Sequence, residues 1–244
     1  MAHLESFIVS PNQVNNNQLL ISGKEYHHLS KVKRKRKGDR ISVTDGAGNF
    51  YFVKIQKIHS NEAVCEILKT VRKVGEPVIS IHVIQGLLKC QRMDWLIEKG
   101  TELGVSHFYP VMTEFCEAQT SDVKLKRWQR ISRSAVKQCG RSVFPEIHPM
   151  QKLENLWEEL PKPVWFAHPK EEIKLSNAID IKKKIKSSNA ISPLIGPEGG
   201  FSEHELNTFK DRGFTQVTLG NRRLRAETAA ISMVLLALQE FGEI

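Results

Sequence analysis

The segment LIGPEGGFSEHE, from Leu194 to Glu205, joins an apolar run to a helix start through a Gly-rich turn. Between Gly196 and Gly200, three glycines surround a proline and a carboxylate. Residues without a Cβ atom let the backbone approach a ligand or another segment closely. The turn follows a predicted strand, and open α/β sheets bind ligands at the carboxyl ends of their strands. We therefore interpret it as a ligand-contacting turn; the alternative is a stiff connection that only redirects the chain.

The residues after this turn have the pattern of a helix start. Ser202 and Glu205 have the spacing of a capping box, and Phe201 and Leu206 have that of a hydrophobic staple. The sequence predicts a helix that begins after Ser202 and ends at Gly213.

Outward from the turn, the chain from residue 78 onward alternates apolar runs with amphipathic segments. The continuous apolar run VISIHVIQG, residues 78–86, is typical of a strand buried on both faces. Helices are predicted over 91–105, 121–140 and 226–241. This alternation predicts an α/β fold with a mostly parallel sheet flanked by helices.

The front of the chain reads differently, as strands and turns. QLLIS and the two runs around Asp45-Gly46 and Gly48-Asn49 are rich in β-branched and aromatic residues. Gly75 and Pro77 indicate a boundary. We therefore predict a small β-rich domain over 1–73 and the α/β domain over 76–244.

The composition favours a polyanionic partner. The 244 residues include 36 Lys+Arg against 27 Asp+Glu, a formal net charge of +9. Such an excess is a physical argument for binding nucleic acid, although it can also serve solubility alone.

The cysteines and the absence of targeting signals indicate a reducing compartment. Cys65, Cys90, Cys116 and Cys139 form no CxxC pair, so we expect neither a metal site nor a disulfide framework. No basic stretch followed by an apolar run begins the chain, and the apolar stretch Ile231–Leu238 is too short to span a bilayer. The prediction is a cytoplasmic protein without a membrane partner.

A second motif, LGNRRLRAETAA, runs from Leu219 to Ala230. It carries three arginines, Arg222, Arg223 and Arg225, between a strand end and a helix start. If both strands are parallel, these arginines lie at the same sheet edge as the Gly-rich turn. No GxGxxG or GxxxxGK[ST] phosphate loop is present, so the expected ligand is one without phosphates.

Basic residues also concentrate in two other places, and each is either a solvated face or a phosphate-binding surface. One is the run KVKRKRKGDR, Lys31–Arg40. The other is the helix over 121–140, where Lys126, Arg130, Arg133 and Lys137 recur at helical spacing. The candidate nucleic-acid-contacting residues are His28, Lys31, Lys33, Arg34, Arg36, Arg130, Arg133, Lys137, Arg141 and Arg222.

Several blocks resemble one known family in the same order along nearly the whole chain. They are residues 27–51, 89–114 and 127–147, followed by LIGPEGGFSEHE and LGNRRLRAETA. The chain is similar to the RsmE family of 16S ribosomal RNA (uridine-N3) methyltransferases, of the SPOUT superfamily.

The resemblance implies an N-terminal PUA-like RNA-binding β-barrel over 1–73 and a SPOUT methyltransferase domain over 76–244 with a trefoil knot. It also implies S-adenosyl-L-methionine as cofactor, a homodimer, and the 16S ribosomal RNA of the small ribosomal subunit as partner. The loop from Phe166 to Pro169 and the two motifs would hold the cofactor. The implied cofactor residues are Ala167, His168, Ile195, Gly196, Pro197, Glu198, Gly199, Gly200, Leu219, Gly220, Leu224, Arg225 and Thr228.

The implied chemistry constrains the catalytic groups. Uridine N3 must lose its proton as it attacks the methyl carbon, and negative charge then spreads onto O2 and O4. We predict that Arg225 stabilises this anion. Glu198 or Glu227 would accept the proton or orient an arginine, and the sequence does not choose between them. A SPOUT enzyme acting on another RNA and a non-catalytic RNA-binding assembly factor are the alternatives.

Overall fold

The computed structural model describes residues 6–89, 91–117, 122–168 and 189–244. The chain forms two compact units, Met1–Glu76 with Arg133–Phe144, and Pro77–Ser132 with Pro145–Ile244. The sequence suggested a single boundary between 73 and 76, whereas the first unit also takes in a later segment. That segment begins inside helix α3, Asp122–Cys139. The helix is continuous from Ser132, in the second unit, to Arg133, in the first.

The first unit contains one six-stranded sheet, in the order β1-β4-β5-β6-β3-β2. Its strands are β1 Ser6–Ile8, β2 Val14–Asn15, β3 Gln18–Ser22, β4 Arg40–Thr44, β5 Asn49–Ile58 and β6 Glu62–Arg72. Helix α1, Gly23–His27, continues into one helical turn over His28–Val32. Alternate strand residues pack in a buried apolar cluster, as the period of two requires. The predicted β-rich character of the front segment is confirmed.

The predicted turn between β4 and β5 is organised by one buried carboxylate. Asp45 accepts hydrogen bonds from the backbone N–H of Ala47 at 2.8 Å and of Asn49 at 3.1 Å. Gly46 and Gly48 adopt the positive φ angles that the turn needs, +70° and +106°. The hairpin therefore forms where the glycine and aspartate signals predicted it.

The second unit contains a seven-stranded sheet in which every ladder is parallel. The order is β10-β8-β7-β12-β11-β13, and β9 pairs with β8. The strands are β7 Ser80–Gly86, β8 His107–Met112, β9 Glu146–Ile147, β10 Gln151–Lys152, β11 Val164–Ala167, β12 Ala190–Ile195 and β13 Thr215–Val217. Helices α2 Arg92–Glu102, α4 Glu203–Asp211 and α5 Ala226–Phe241 belong to the same unit. The predicted α/β class is confirmed.

This sheet is buried on both faces, which explains its continuous apolar runs. Ile81 and Val83 of β7 point into one apolar cluster with α2 and α5, while Ile84 points into the other. Trp165 and Phe166 of β11 divide between the clusters in the same way. Burial on both faces is typical of parallel sheets.

The predicted capping box begins α4. The Ser202 hydroxyl accepts the Glu205 N–H at 3.2 Å, and the Glu205 carboxylate accepts the Ser202 N–H at 2.8 Å. Helix α4 ends at Asp211, shortly before Gly213, whose φ is +70°. Both helix-end predictions are confirmed.

Cys65 is a buried free thiol, and burial raises its pKa to about 12. Cys90 lies outside the described residues. Within those residues, no helix combines the length and the apolar character that crossing a membrane requires.

Candidate active site

The Gly-rich turn lies at the carboxyl end of β12, which pairs in parallel with β7 and β11 near the middle of the sheet. A Cβ atom on Gly86, the last residue of β7, would lie 2.5 Å from Pro197. One on Gly196 would lie 3.0 Å from the Gly200 backbone, and one on Gly199 would lie 2.9 Å from the Phe115 Cβ. Close packing therefore requires glycine at positions 86, 196 and 199, whereas at Gly200 the positive φ of +77° favours it.

A buried amide also positions the turn. The Gln85 side chain is 1% exposed, and its Nε2 donates to the carbonyl oxygens of Gly86 at 2.9 Å and of Gly196 at 3.0 Å. The end of β7 thus holds the first residue of the turn in place. No sequence pattern indicated this role, because a lone glutamine in an apolar strand has many explanations.

The arginine loop lies at the same edge of the sheet. Strand β13 runs parallel to β11, which runs parallel to β12, so the carboxyl ends of β12 and β13 point the same way. Gly220, with φ +100°, turns the chain after β13, and α5 begins directly after Arg225. The expectation that the arginines lie at the same sheet edge as the Gly-rich turn is confirmed.

The two motifs enclose a cavity of about 460 Å³. This volume lies in the range of small-molecule sites, roughly 300–1,000 Å³. Every predicted cofactor residue except Thr228 lines it. The lining residues are Arg92, Ala167, His168, Ile195, Gly196, Pro197, Glu198, Gly199, Gly200, Phe201, Thr218, Leu219, Gly220, Arg222, Arg223, Leu224, Arg225, Ala226 and Ala229. Pro169, the last residue of the predicted cofactor loop that begins at Phe166, lies outside the described residues.

Thr228 does not line the cavity, because of the phase of α5, and its contact with the cofactor stays a prediction. Ala226 and Ala229, three positions apart, form the helix face that lines the cavity. Glu227 and Thr228 project from other sides of the helix and line a neighbouring groove with Arg225. A position within the arginine motif therefore does not by itself place a side chain in the cavity wall.

Arg92, at the start of α2, connects the two candidate carboxylates. Its Nη1 donates to Glu198 Oε1 at 3.1 Å, and its Nε lies 3.9 Å from Glu227 Oε1. Glu198 also accepts the Lys89 N–H at 3.1 Å. The sequence analysis gave Arg92 no role, although it lies in one of the blocks that carry the family resemblance. Its partners come from segments more than a hundred residues away, which no local pattern reveals.

The two carboxylates differ in their surroundings. The Glu198 side chain is 28% exposed and lines the cavity, whereas the Glu227 side chain is 10% exposed and does not. Glu227 Oε2 has no hydrogen-bond partner among the described residues. Both carboxylates can orient Arg92, and Glu198 alone lies in the cavity wall.

The polar chemistry of the cavity suits a small molecule with an apolar body and a few hydrogen-bonding edges. Ile195, Leu219 and Leu224 supply apolar surface, and the turn supplies backbone groups. Thr218 Oγ1 is buried and has no hydrogen-bond partner within the described part of the chain, so it is available to a ligand. The donor set thus fits a nucleoside-like group.

The candidate RNA residues near the front of the chain are solvent-accessible. Lys31, Lys33, Arg34 and Arg36 are exposed. His28 is partly buried, and its ring centroid lies 5.8 Å from that of Phe7.

The last residues of the predicted basic surface, which belong to the first unit, contact other residues of that unit. Arg141 is 2% exposed, and its guanidinium pairs with Glu76 at 2.6 Å, so its prediction as an RNA contact is wrong. Lys137 pairs with Glu25 at 2.9 Å, and its side chain is 16% exposed. The Arg133 guanidinium lies 5.1 Å from the Phe144 ring centroid, while Arg130 is exposed. Helical spacing therefore does not show which acidic or aromatic residues pack against basic side chains.

Arg222, the remaining candidate RNA residue, lies in the cavity wall.

Two family models match the chain, one near its front and one over the α/β part. Residues 75–238 match the family model described as RNA methyltransferase domain, and residues 21–68 match that of the RNA methyltransferase PUA domain. The first match covers more than half of the chain.

Curated relatives and solved structures agree with these matches. The chain is 31% identical, over 93% of both chains, to ribosomal RNA small subunit methyltransferase E of Buchnera aphidicola subsp. Schizaphis graminum. The structure of the Neisseria gonorrhoeae protein of that name, bound to S-adenosyl methionine, is 29% identical and superimposes with a TM-score of 0.85 over 98% of both chains. The putative methyltransferase Lpg2936 of Legionella pneumophila, in complex with bound SAM, is 25% identical, with a TM-score of 0.81 over 96% of this chain and 97% of that chain.

Proposed function

This chain belongs to the ribosomal RNA small subunit methyltransferase E family, and on that premise we propose that it methylates N3 of one uridine in 16S ribosomal RNA. It is an rRNA methyltransferase that uses S-adenosylmethionine. The observation that carries the proposal is the cavity formed by the Gly-rich turn and the arginine loop at one sheet edge. It combines a nucleoside-sized space with several cations.

The residues of the cavity fit the cofactor. The apolar side chains and the unpartnered Thr218 hydroxyl suit an adenosyl group, and the backbone of Gly196–Gly200 can approach it closely. When bound, S-adenosylmethionine supplies the methyl group on a positively charged sulfur. A ligand without phosphates agrees with the absence of phosphate-binding loops from the sequence.

Arg225 stabilises the negative charge that develops on the uridine as its N3 proton leaves. The residue lies where the cavity meets the neighbouring groove, so its guanidinium can serve a base that enters from solvent. Arg222 or Arg223, in the same loop, holds a neighbouring phosphate. Since N3 lies on the Watson–Crick edge, the base must be unpaired or flipped out to reach the site.

Glu198 and Glu227 act through Arg92. Glu198 Oε1 already accepts two hydrogen bonds, from Arg92 and from the Lys89 backbone, which favours an orienting role over that of a general base. Glu227 borders Arg92 from the helix side. With both carboxylates in orienting roles, water accepts the proton.

The proposal extends to three properties that accompany the family resemblance. The α/β domain is knotted as a trefoil, the protein is a homodimer, and it acts in the cytoplasm. Exposed Trp95 on α2 and Leu235 on α5 offer apolar surface for a second copy. Sedimentation of the purified chain at twice the monomer mass would support the dimer, and a monomer at all concentrations would oppose it.

The exposed basic run of the first unit binds RNA phosphates. Replacing Lys31, Arg34 and Arg36 together with glutamine should weaken RNA binding and lower the slope of log affinity against log salt by about two. The measurement is filter binding or fluorescence anisotropy over a salt series. The matched control removes the same charge from the strands of that unit, by Lys54→Gln, Lys57→Gln and Lys69→Gln. Equal slopes for both triple variants would contradict the assignment.

The reaction is tested by methyl transfer to small ribosomal subunits that lack the modification, with protein-free 16S ribosomal RNA alongside. Mass spectrometry of digested nucleosides should show N3-methyluridine. The subunits should yield more of it than the protein-free RNA. Another methylated nucleoside would instead identify a related enzyme with a different target. No product and no cofactor binding by calorimetry would favour a non-catalytic assembly factor.

A further inference from the structure

A cluster of histidines lies at the amino-terminal edge of the parallel sheet, opposite the edge that holds the cavity. His82 and His107 are paired residues on β7 and β8, and Glu146 of β9 lies opposite His107 in the next ladder. His148 follows β9, and its backbone N–H donates to the Phe108 carbonyl oxygen at 2.9 Å. The methyl-transfer site uses none of these residues.

Three side chains of this cluster present metal-binding atoms to one point. His107 Nδ1 lies 3.2 Å from His148 Nε2 and 3.5 Å from Glu146 Oε2. One ligand atom from each residue can be chosen so that all three lie within 4.8 Å of one another. Zinc–nitrogen and zinc–oxygen bonds of about 2.0–2.2 Å place tetrahedral ligands roughly 3.4 Å apart. Two of the three ligand separations therefore already match an ion at the centre.

Stacking and a side-chain hydrogen bond hold these rings in place. The His107 ring stacks on His82 at 4.2 Å, with 11° between the planes, and the His148 ring stacks on Tyr109 at 4.0 Å and 7°. His82 in turn lies 2.9 Å from the Ser80 hydroxyl. Rings held in this way lose little freedom when they bind an ion, which raises affinity.

We propose that His107, Glu146 and His148 form a binding site for a divalent first-row transition metal, with Zn²⁺ as the expected ion. Imidazole nitrogens and a carboxylate favour zinc over calcium or magnesium. The His107 and His148 side chains are 29% and 22% exposed, so solvent reaches the site and water completes the coordination. The ion ties the segment around β9 to the sheet edge and takes no part in methyl transfer.

The competing explanation is a direct hydrogen bond between the two imidazoles. One ring would then donate its N–H to the other across the 3.2 Å separation, with Glu146 as a solvated neighbour. The two explanations differ in the effect of Glu146, because a carboxylate that is not a ligand contributes little to metal affinity.

The test is zinc titration of the full chain, freed of any polyhistidine tag and of metal, by calorimetry at neutral pH. We expect one ion per chain, with a Kd raised on the order of a hundredfold by His148→Gln and at least about tenfold by Glu146→Gln. Glu146 is 63% exposed, so Glu146→Gln should fold even if His148→Gln does not. The control is His204→Gln on α4, an exposed histidine of the same unit, which should bind zinc as the unmodified chain does.

Cobalt substitution separates this site from the thiols. The Co²⁺ spectrum should show nitrogen and oxygen ligation without thiolate charge-transfer bands. Thiolate bands, unchanged zinc affinity in Glu146→Gln and His148→Gln, or no stoichiometric binding would each overturn the proposal. Cofactor affinity should be the same with and without zinc, since the cluster and the cavity lie at opposite strand ends.

Discussion

Replacement of Arg225 by alanine should lower the turnover number for methyl transfer by about a thousandfold, with a much smaller loss of cofactor affinity. Removal of one group that stabilises developing negative charge costs roughly 10²–10³ in rate. The charge on the uridine oxygens exists only as the N3 proton leaves, so the loss falls on turnover rather than on ground-state binding. Single-turnover kinetics with saturating cofactor and RNA measure this directly.

Two further variants make the Arg225 result specific. Arg225→Lys keeps the charge but not the planar fork, so it should recover part of the rate. Arg212→Ala removes an arginine that pairs with Glu158 and lies over the Trp157 ring, outside the cavity lining, and should leave turnover unchanged. If Arg225→Ala retained both normal turnover and normal cofactor affinity, Arg225 would have no catalytic role.

Replacement of Gly86 by alanine should raise the Kd for S-adenosylmethionine by about a hundredfold. The new Cβ would lie 2.5 Å from the Pro197 nitrogen and Cδ, so the Gly-rich turn must move. A displacement near 1 Å of a positioned group can lower a reaction rate about 10²-fold. We expect a loss of similar size in cofactor affinity when the turn moves. Overpacking should also lower the free energy of unfolding by about 1–3 kcal/mol. Calorimetric titration with the cofactor, alongside denaturant unfolding, separates the two effects.

Gly100→Ala is the matched control for Gly86→Ala. Its Cβ would lie 2.8 Å from the Phe108 ring, inside the apolar core of the same unit and away from the cavity lining. It should therefore destabilise the protein while leaving the cofactor Kd of the folded chain unchanged. A folded Gly86→Ala variant with normal cofactor affinity would show that the turn does not hold the cofactor as proposed.

Local patterns predicted most elements, because the interactions that begin and end them lie within a few residues. The capping box at Ser202, the turn at Asp45 and the helix over 226–241 all formed where expected. Short elements were missed. Strands β9 and β10 have two residues each, too few for any period to show.

Predictions of side-chain contact were less successful than predictions of elements. Helical spacing put Lys137 and Arg141 on or near a solvent-exposed basic surface, yet both pair with acidic residues that lie far away in sequence. Thr228, within the arginine motif, was predicted from the family resemblance to contact the cofactor, although the phase of α5 turns it toward the neighbouring groove. Arg92 was overlooked because Glu198 and Glu227 meet it only in the folded chain.

By itself, the sequence determined the class of fold, the two motifs and the kind of ligand they accept. These depend on periodicity, on glycine where a backbone must pass closely, and on charge, all of which are local. Only the tertiary structure decided which carboxylates share Arg92, which arginines are buried, and that His107, Glu146 and His148 converge. Such contacts depend on strand order and helix phase, which bring together residues that no sequence spacing relates.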